Sequence, residues 1–185
     1  MKAILFALLL TTAAFAFQDS YQIWWDDGTY EASTPQNRDL AQWWDVPDTA
    51  PFMAASVGVY FEQPVGTAAV TFKLYNNTTV TNPNDLLGLT PNATWDDTIT
   101  SPMTGWRASY IPEPLILMSN VWLVIEVNSG QLAADATTPQ GYSWWLTGGK
   151  WRQPTGGNAC NFMVRFYGVT TSLSRTTWGE IKTLW

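Results

Sequence analysis

Val57, Val59 and Phe61 alternate along the chain with Gly58, Tyr60 and Glu62. The pattern recurs three times. Val70, Phe72 and Leu74 interleave with Thr71, Lys73 and Tyr75; Val121, Leu123, Ile125 and Val127 with Trp122, Val124 and Glu126; Phe162, Val164 and Phe166 with Met163, Arg165 and Tyr167. A period of two is that of a strand with one buried face. Residues 21–26, 42–46, 106–110, 115–117 and 142–146 carry a weaker form of it. Turn chemistry separates the segments: Asp27-Gly28, Asn76-Asn77, Asn82-Pro83-Asn84-Asp85, Gly148-Gly149 and Gly156-Gly157. About eight or nine short strands with no helices between them predict an all-β antiparallel sandwich of the jelly-roll type.

The two ends read differently. Lys2, the apolar run Ala3–Leu10 and Ala14-Phe15-Ala16 follow the order of a secretory signal peptide with its cleavage site. The run falls short of the roughly 20 residues that a membrane helix needs. The expectation is therefore a signal peptide over residues 1–16, a sandwich over 17–171, and export to the cell surface or beyond without a transmembrane anchor. Residues 172–185 are predicted as a linker and a short helix. Thr177 and Glu180 have capping-box spacing, and Trp178, Ile181 and Trp185 fall on one helical face. So short a helix is marginal alone. It must dock on its own sandwich or on another molecule, so a homo-oligomer is one expected state.

Composition narrows the function. Charged residues make up only 13% of the chain and the net charge is −6, which excludes the basic footprint that nucleic acid requires. Cys160 is the one cysteine, so it forms no intrachain disulfide and is either buried or paired between molecules. Histidine is absent, which removes Ser-His-Asp and Cys-His catalysis and the usual zinc sites.

Tryptophan is the abundant candidate for chemistry: there are 12, with adjacent pairs at Trp24–Trp25, Trp43–Trp44 and Trp144–Trp145. Neighbours on a strand point to opposite faces, so one core cannot bury both members of a pair. Polarity of the flanking residues places Trp25 and Trp144 inward and Trp24, Trp43, Trp122 and Trp145 outward. Trp151 falls in a glycine-rich loop beside Lys150 and Arg152. Outward indoles with Glu126 and Arg165 nearby have the make-up of a sugar site, in which a ring stacks on a pyranose and polar groups take its hydroxyls. The same rings could instead form a second apolar layer under loops, under the tail or between subunits.

Asp26, Asp27, Asp96 and Asp97 are clustered oxygen donors of the kind that hold a structural calcium ion; as plain turn residues they would bond their own backbone. Glu62 and Glu126 could serve a glycosidase if they lay about 5–9.5 Å apart. Glu126 could equally pair with Arg165 across neighbouring strands. Apart from such a structural calcium ion, no cofactor is expected.

The order of these segments resembles a known group. Asp26-Asp27-Gly28, the Val57–Phe61 and Val70–Tyr75 strands, Gly105-Trp106, Val121–Val127, Tyr142–Leu146, Gly148–Trp151 and Asn161–Arg165 are similar to secreted bacterial jelly-roll modules shaped like carbohydrate-binding modules. The likeness covers about residues 21–168. It implies a domain that binds or spaces and does not catalyse, often beside an extracellular enzyme; here the module is the whole expected mature chain. The ending Thr176–Trp185 resembles short C-terminal endings of proteins secreted by some Gram-negative-type bacteria, which implies sorting or docking. Three functions follow: a module for polysaccharide or cell-surface glycan, a structural or adhesion subunit binding a protein surface, and a glycan-active enzyme.

Overall fold

The computed structural model describes residues 21–23, 25–35, 37–46, 52–61, 67–100, 105–137 and 139–170. The expected signal peptide and C-terminal helix lie outside these residues, as do Trp24 and Glu62.

Thirteen strands are described: β1 (Tyr21–Ile23), β2 (Ala32–Ser33), β3 (Leu40–Val46), β4 (Phe52–Phe61), β5 (Thr67–Thr78), β6 (Ala93–Thr100), β7 (Gly105–Leu117), β8 (Ser119–Val127), β9 (Ala133–Asp135), β10 (Ser143–Thr147), β11 (Lys150–Arg152), β12 (Asn161–Phe162) and β13 (Val164–Thr170). Two short 3-10 turns, Pro83–Leu86 and Gly156–Asn158, are the only helical pieces among the described residues. The strands form a four-stranded sheet ordered β1-β13-β4-β7, a six-stranded sheet ordered β11-β10-β3-β8-β5-β6, and a small sheet ordered β12-β9-β2. All pairings are antiparallel. The protein is a β-sandwich.

Alternation explains the core. Val57, Val59 and Phe61 from β4, Val164 and Phe166 from β13, Val70, Phe72 and Leu74 from β5, and Val121, Leu123, Ile125 and Val127 from β8 all enter one buried cluster between the two large sheets. Trp44 from β3 joins them and meets Phe166 edge-on, with ring centroids 4.9 Å apart. β4 carries an extra residue, Ala55, where the register passes from Tyr167–Ser56 to Gly168–Ala54. A Cβ at Gly168 would lie 1.9 Å from the carbonyl oxygen of Met53, so only glycine lets β13 sit this close to β4. Gln42 also faces this core; both of its amide atoms and Trp44 Nε1 are buried without a protein partner. Such groups each cost about 1–3 kcal/mol.

The six-stranded sheet is buried on its other face too. Ala41, Tyr75, Leu86, Trp122, Val124 and Trp151 form a second cluster, with Trp43, Trp144, Val80 and Leu146 packed on it. Trp122 is its centre at 0% exposure. Its Nε1 donates to the Val80 carbonyl at 2.8 Å, and its ring lies 4.9 Å from that of Trp144. The segment from Val80 to Leu89 covers this face, and Trp144, Leu146 and Trp151 of β10 and β11 extend the apolar layer to the sheet's edge. The Asn84 side chain ties the covering segment to β11, accepting from Trp151 N at 2.9 Å and donating to Trp151 O at 3.2 Å.

Several sequence expectations change. Asp96 and Asp97 are not in a loop but in β6, and Asp96 accepts from Thr71 Oγ1 on the neighbouring strand at 2.6 Å. The faces of the third tryptophan pair are exchanged. Trp145 packs against the inter-sheet core, whereas Trp144 and Leu146 join the outer cluster. Trp122 faces away from the main core as expected, yet it is covered and offers no surface to a sugar.

Truncation of Trp122 removes the keystone of the second layer. Trp122→Ala is expected to cost about 3–5 kcal/mol, read as a lower midpoint in urea unfolding. A change under about 1 kcal/mol would mean that the roof is not packed as described.

Candidate functional site

With one face of the six-stranded sheet roofed, the outer face of the four-stranded sheet is where aromatic side chains reach solvent. The same period of two that sends Val57, Val59, Val164 and Phe166 inward sends Gly58, Tyr60, Arg165 and Tyr167 outward. On the next strand, register sets Trp106 opposite Tyr60, Ala108 opposite Gly58 and Tyr110 opposite Ser56. Tyr60 and Trp106 meet at right angles, 5.6 Å apart and inclined by 86°. Tyr30, from the loop after β1, stacks on Tyr60 at 5.9 Å and 11°. Tyr110 is 77% exposed and Tyr30 is 38% exposed. The result is a stepped aromatic surface rather than a flat one.

Gly58 makes this surface possible. A Cβ there would lie 2.3 Å from Tyr167 Cε2, so the missing side chain lets the Tyr167 ring rest over β4. Arg165 sits opposite Gly58, and its guanidinium lies 4.1 Å from the centre of the Trp106 ring. This is cation–π range. The charge is not free. Asp26, whose side chain is fully buried, takes Arg165 in a bidentate pair: Nε donates to Oδ2 at 3.1 Å, and the NH2 nitrogen donates to Oδ1. Asp26 Oδ1 also accepts from Gly28 N at 3.0 Å, which closes the turn. Burial works against the guanidinium charge, but Asp26 and Tyr167 together outweigh it and raise the Arg165 pKa. Breaking a buried pair on one side typically costs about 3–5 kcal/mol, so Asp26 and Arg165 brace the ring surface.

The other expected site residues are scattered. Glu126 pairs with Lys73, not with Arg165, because β8 and β13 belong to different sheets. The bond to Glu126 raises the Lys73 pKa. Trp43 lies under the outer layer, where its Nε1 donates to Asn120 Oδ1 at 3.1 Å. Trp151 is buried on β11. Trp145 is half-buried beside Cys160. Of the expected set, Arg165 meets Asp26 on the four-stranded sheet, while Trp43, Trp122 and Trp151 come together in the second apolar layer of the other sheet.

A second concavity opens beside the roof of the six-stranded sheet. It holds about 290 Å³. Lys73, Glu126, Tyr75 and Val124 form its floor, and Trp151, Leu87 and Leu89 stand at its walls. Leu87 is 71% exposed and Leu89 47%, so its rim is apolar.

The carboxylates regroup. Asp26 is engaged by Arg165, while Asp27 meets Glu31 and Asp135, their oxygens all within 4.8 Å of one another. Hard oxygen donors of this kind suit calcium. Backbone N–H groups already serve all three: Thr137 N donates to Asp135 at 2.8 Å, Ala136 N to Glu31 at 3.2 Å and Thr29 N to Asp27 at 2.9 Å. Hydrogen bonds from the Thr29 hydroxyl and N–H lower the Asp27 pKa. Asp96 and Asp97 take no part in this group.

Tyr30, Tyr60, Trp106, Tyr110 and Tyr167 escape attention when tryptophan pairs are the signal. Tyr60 and Tyr167 nonetheless stand at the polar parity of two strong strands, beside Gly58 and Arg165.

No family model matches this chain, and no curated protein does. Among solved structures, it is similar to the Clostridial cysteine protease Cwp84 after propeptide cleavage, with a TM-score of 0.56 and 13% identity over 83% of this chain and 41% of that one. It is also similar to the cysteine protease and lectin-like domains of Cwp84, described as a surface layer associated protein of Clostridium difficile. That match has a TM-score of 0.52 and 14% identity over 83% of this chain and 36% of the other. The chain thus spans about two fifths of the length of these neighbours. At such identity the likeness is one of fold.

Cys160 is buried in the inter-sheet core, and burial with Asp135 nearby pushes its thiol pKa up to about 11. Only the thiolate is reactive. At pH 8 the native protein is expected to leave a thiol reagent such as Ellman's unreacted, with one equivalent reacting on denaturation. Fast reaction in the native state would contradict this burial.

Proposed function

We propose that this chain is an extracellular, non-catalytic binding module that takes a glycan on the outer face of the four-stranded sheet. The observation that carries the reading is the braced aromatic surface of Tyr30, Tyr60, Trp106, Tyr110 and Tyr167. Stacking on exposed rings and hydrogen bonding to phenols is the chemistry that holds a sugar: its C–H faces need apolar rings and its hydroxyls need polar tips. The right angle between Tyr60 and Trp106 makes a corner that suits one glycan chain or a terminal sugar better than a flat crystalline surface. The secretion-like start of the sequence and the surface-layer association of the structural neighbour support an extracellular setting.

A non-catalytic role fits the available groups. The chain has no histidine to activate a thiol, and Cys160 is buried. Glu126 is tied to Lys73. The solved neighbours' protease activity therefore has no visible counterpart among the described residues.

Affinity electrophoresis against soluble glycans tests the reading. Trp106→Ala and Tyr110→Ala are each expected to weaken binding about tenfold, or ~1.4 kcal/mol, while Leu87→Ser on the opposite side leaves it unchanged. Retention lost equally in Leu87→Ser, or no retention on any glycan, would contradict it.

A second reading, a structural or adhesion subunit, draws on the apolar rim of Leu87 and Leu89. Protein partners favour exposed apolar residues beside a concavity. On this reading the wild type self-associates in light scattering and the Leu87→Ser/Leu89→Ser variant is monomeric. A wild type that stays monomeric at high concentration would rule out self-assembly through this rim.

A further inference from the structure

Resting on the glycan reading, we infer that the aromatic face selects uncharged glycans and rejects polyanionic ones, because the one cation built into it is already neutralised and its border is acidic. Arg165 is the charged group that the four-stranded sheet directs onto this face, 4.1 Å from the Trp106 ring. Exposed and unpaired, it would attract carboxylate or sulfate groups as a fork-shaped donor. Here the fork is filled. Two of its nitrogens are bound by the buried Asp26 carboxylate, and Arg165 is itself mostly buried. A uronic acid or sulfated sugar would have to displace Asp26 and leave that carboxylate buried without a partner, a loss larger than the new contact returns.

The surroundings act in the same direction. Tyr30, which stacks on Tyr60, belongs to the loop that carries Asp27 and Glu31. With Asp135, these gather three carboxylates within 4.8 Å of one another at the border of the ring surface. Arg107 is the other nearby cation, but it pairs in register with inward-facing Val59, so strand alternation turns it away from the face that carries Trp106 and Ala108. The net charge of −6 adds a weaker general repulsion. What the face does offer is neutral: phenol hydroxyls and ring faces. These recognise hydroxyl groups and C–H surfaces without regard to ionic strength.

Two derivatives of one backbone give a clean test. Hydroxyethylcellulose is neutral and carboxymethylcellulose is anionic; xylan and polygalacturonate provide a second neutral and anionic pair. In native affinity gels the wild type is expected to be retarded at least tenfold more strongly by a neutral polymer than by its anionic counterpart, with no weakening on adding salt. Ala108→Arg adds a cation at an exposed position of this face, opposite Gly58, without removing any of its rings. This variant is expected to gain salt-sensitive retardation on the anionic polymers. Anionic polymers bound as well as neutral ones by the wild type would overturn the charge selection and leave the glycan reading standing. A failure of Ala108→Arg to gain anionic binding, with binding of the neutral polymers kept, would also overturn it, since charge would then not be the deciding property. Absence of retardation on all four polymers would overturn the selection together with the glycan reading.

Discussion

A strand cannot put two neighbouring side chains on the same face, and this chain places bulky indoles side by side. That constraint organises the molecule. In β3, Trp44 enters the inter-sheet core and Trp43 must go to the other face of the same sheet. In β10, Trp145 and Trp144 divide in the same way. The six-stranded sheet consequently has apolar surface on both sides. Leaving the second side wet would expose Trp122, Trp144 and Tyr75 together, a patch of the kind that drives aggregation. The fold instead lays the segment after β5 across it, held to the edge strand β11 by Asn84 and to β8 by the bond from Trp122 to Val80. Burying a large ring contributes on the order of 2–3 kcal/mol, so the roof adds a second core to a chain without disulfides.

The roof decides where binding can occur. Indoles placed outward by alternation are consumed in stabilising the six-stranded sheet. Among the described residues the four-stranded sheet has no comparable cover, and its outward positions include tyrosines, one tryptophan and an arginine. Its ring surface is held by polar rather than apolar means. Asp26 fixes Arg165, Arg165 lies over Trp106, and Gly58 leaves the space in which Tyr167 rests. A pre-set surface of this type binds without first ordering loose side chains, which lowers the entropic cost of association.

Much of the fold is legible in the sequence, because alternation in Val57–Phe61, Val70–Leu74, Val121–Val127 and Phe162–Phe166 states which residues face the core. The short strands β2, β9, β11 and β12 are not legible, since two or three residues carry no period. Nor is β6, whose Asp96-Asp97 reads as a loop until its pairing with β5 is seen. The site is less legible than the fold for a specific reason. Polarity alone separates a buried face from a wet one, but it cannot separate two buried faces, so the sides of Trp144 and Trp145 are exchanged and Trp122 reads as exposed. The partnership of Asp26 with Arg165 spans 139 positions and that of Asp27 with Asp135 spans 108. Only the folded chain brings such residues together.

Indole N–H resonances of the full chain, followed by two-dimensional NMR during titration with a neutral β-linked oligosaccharide, report directly on which face receives the ligand. The account predicts that Trp106 shifts with ligand while Trp122, buried in the second layer, and Trp43 and Trp144, packed against it, stay in place. Shifts concentrated in Trp43, Trp122, Trp144 or Trp151, with Trp106 unmoved, would place the ligand on the six-stranded sheet and contradict it.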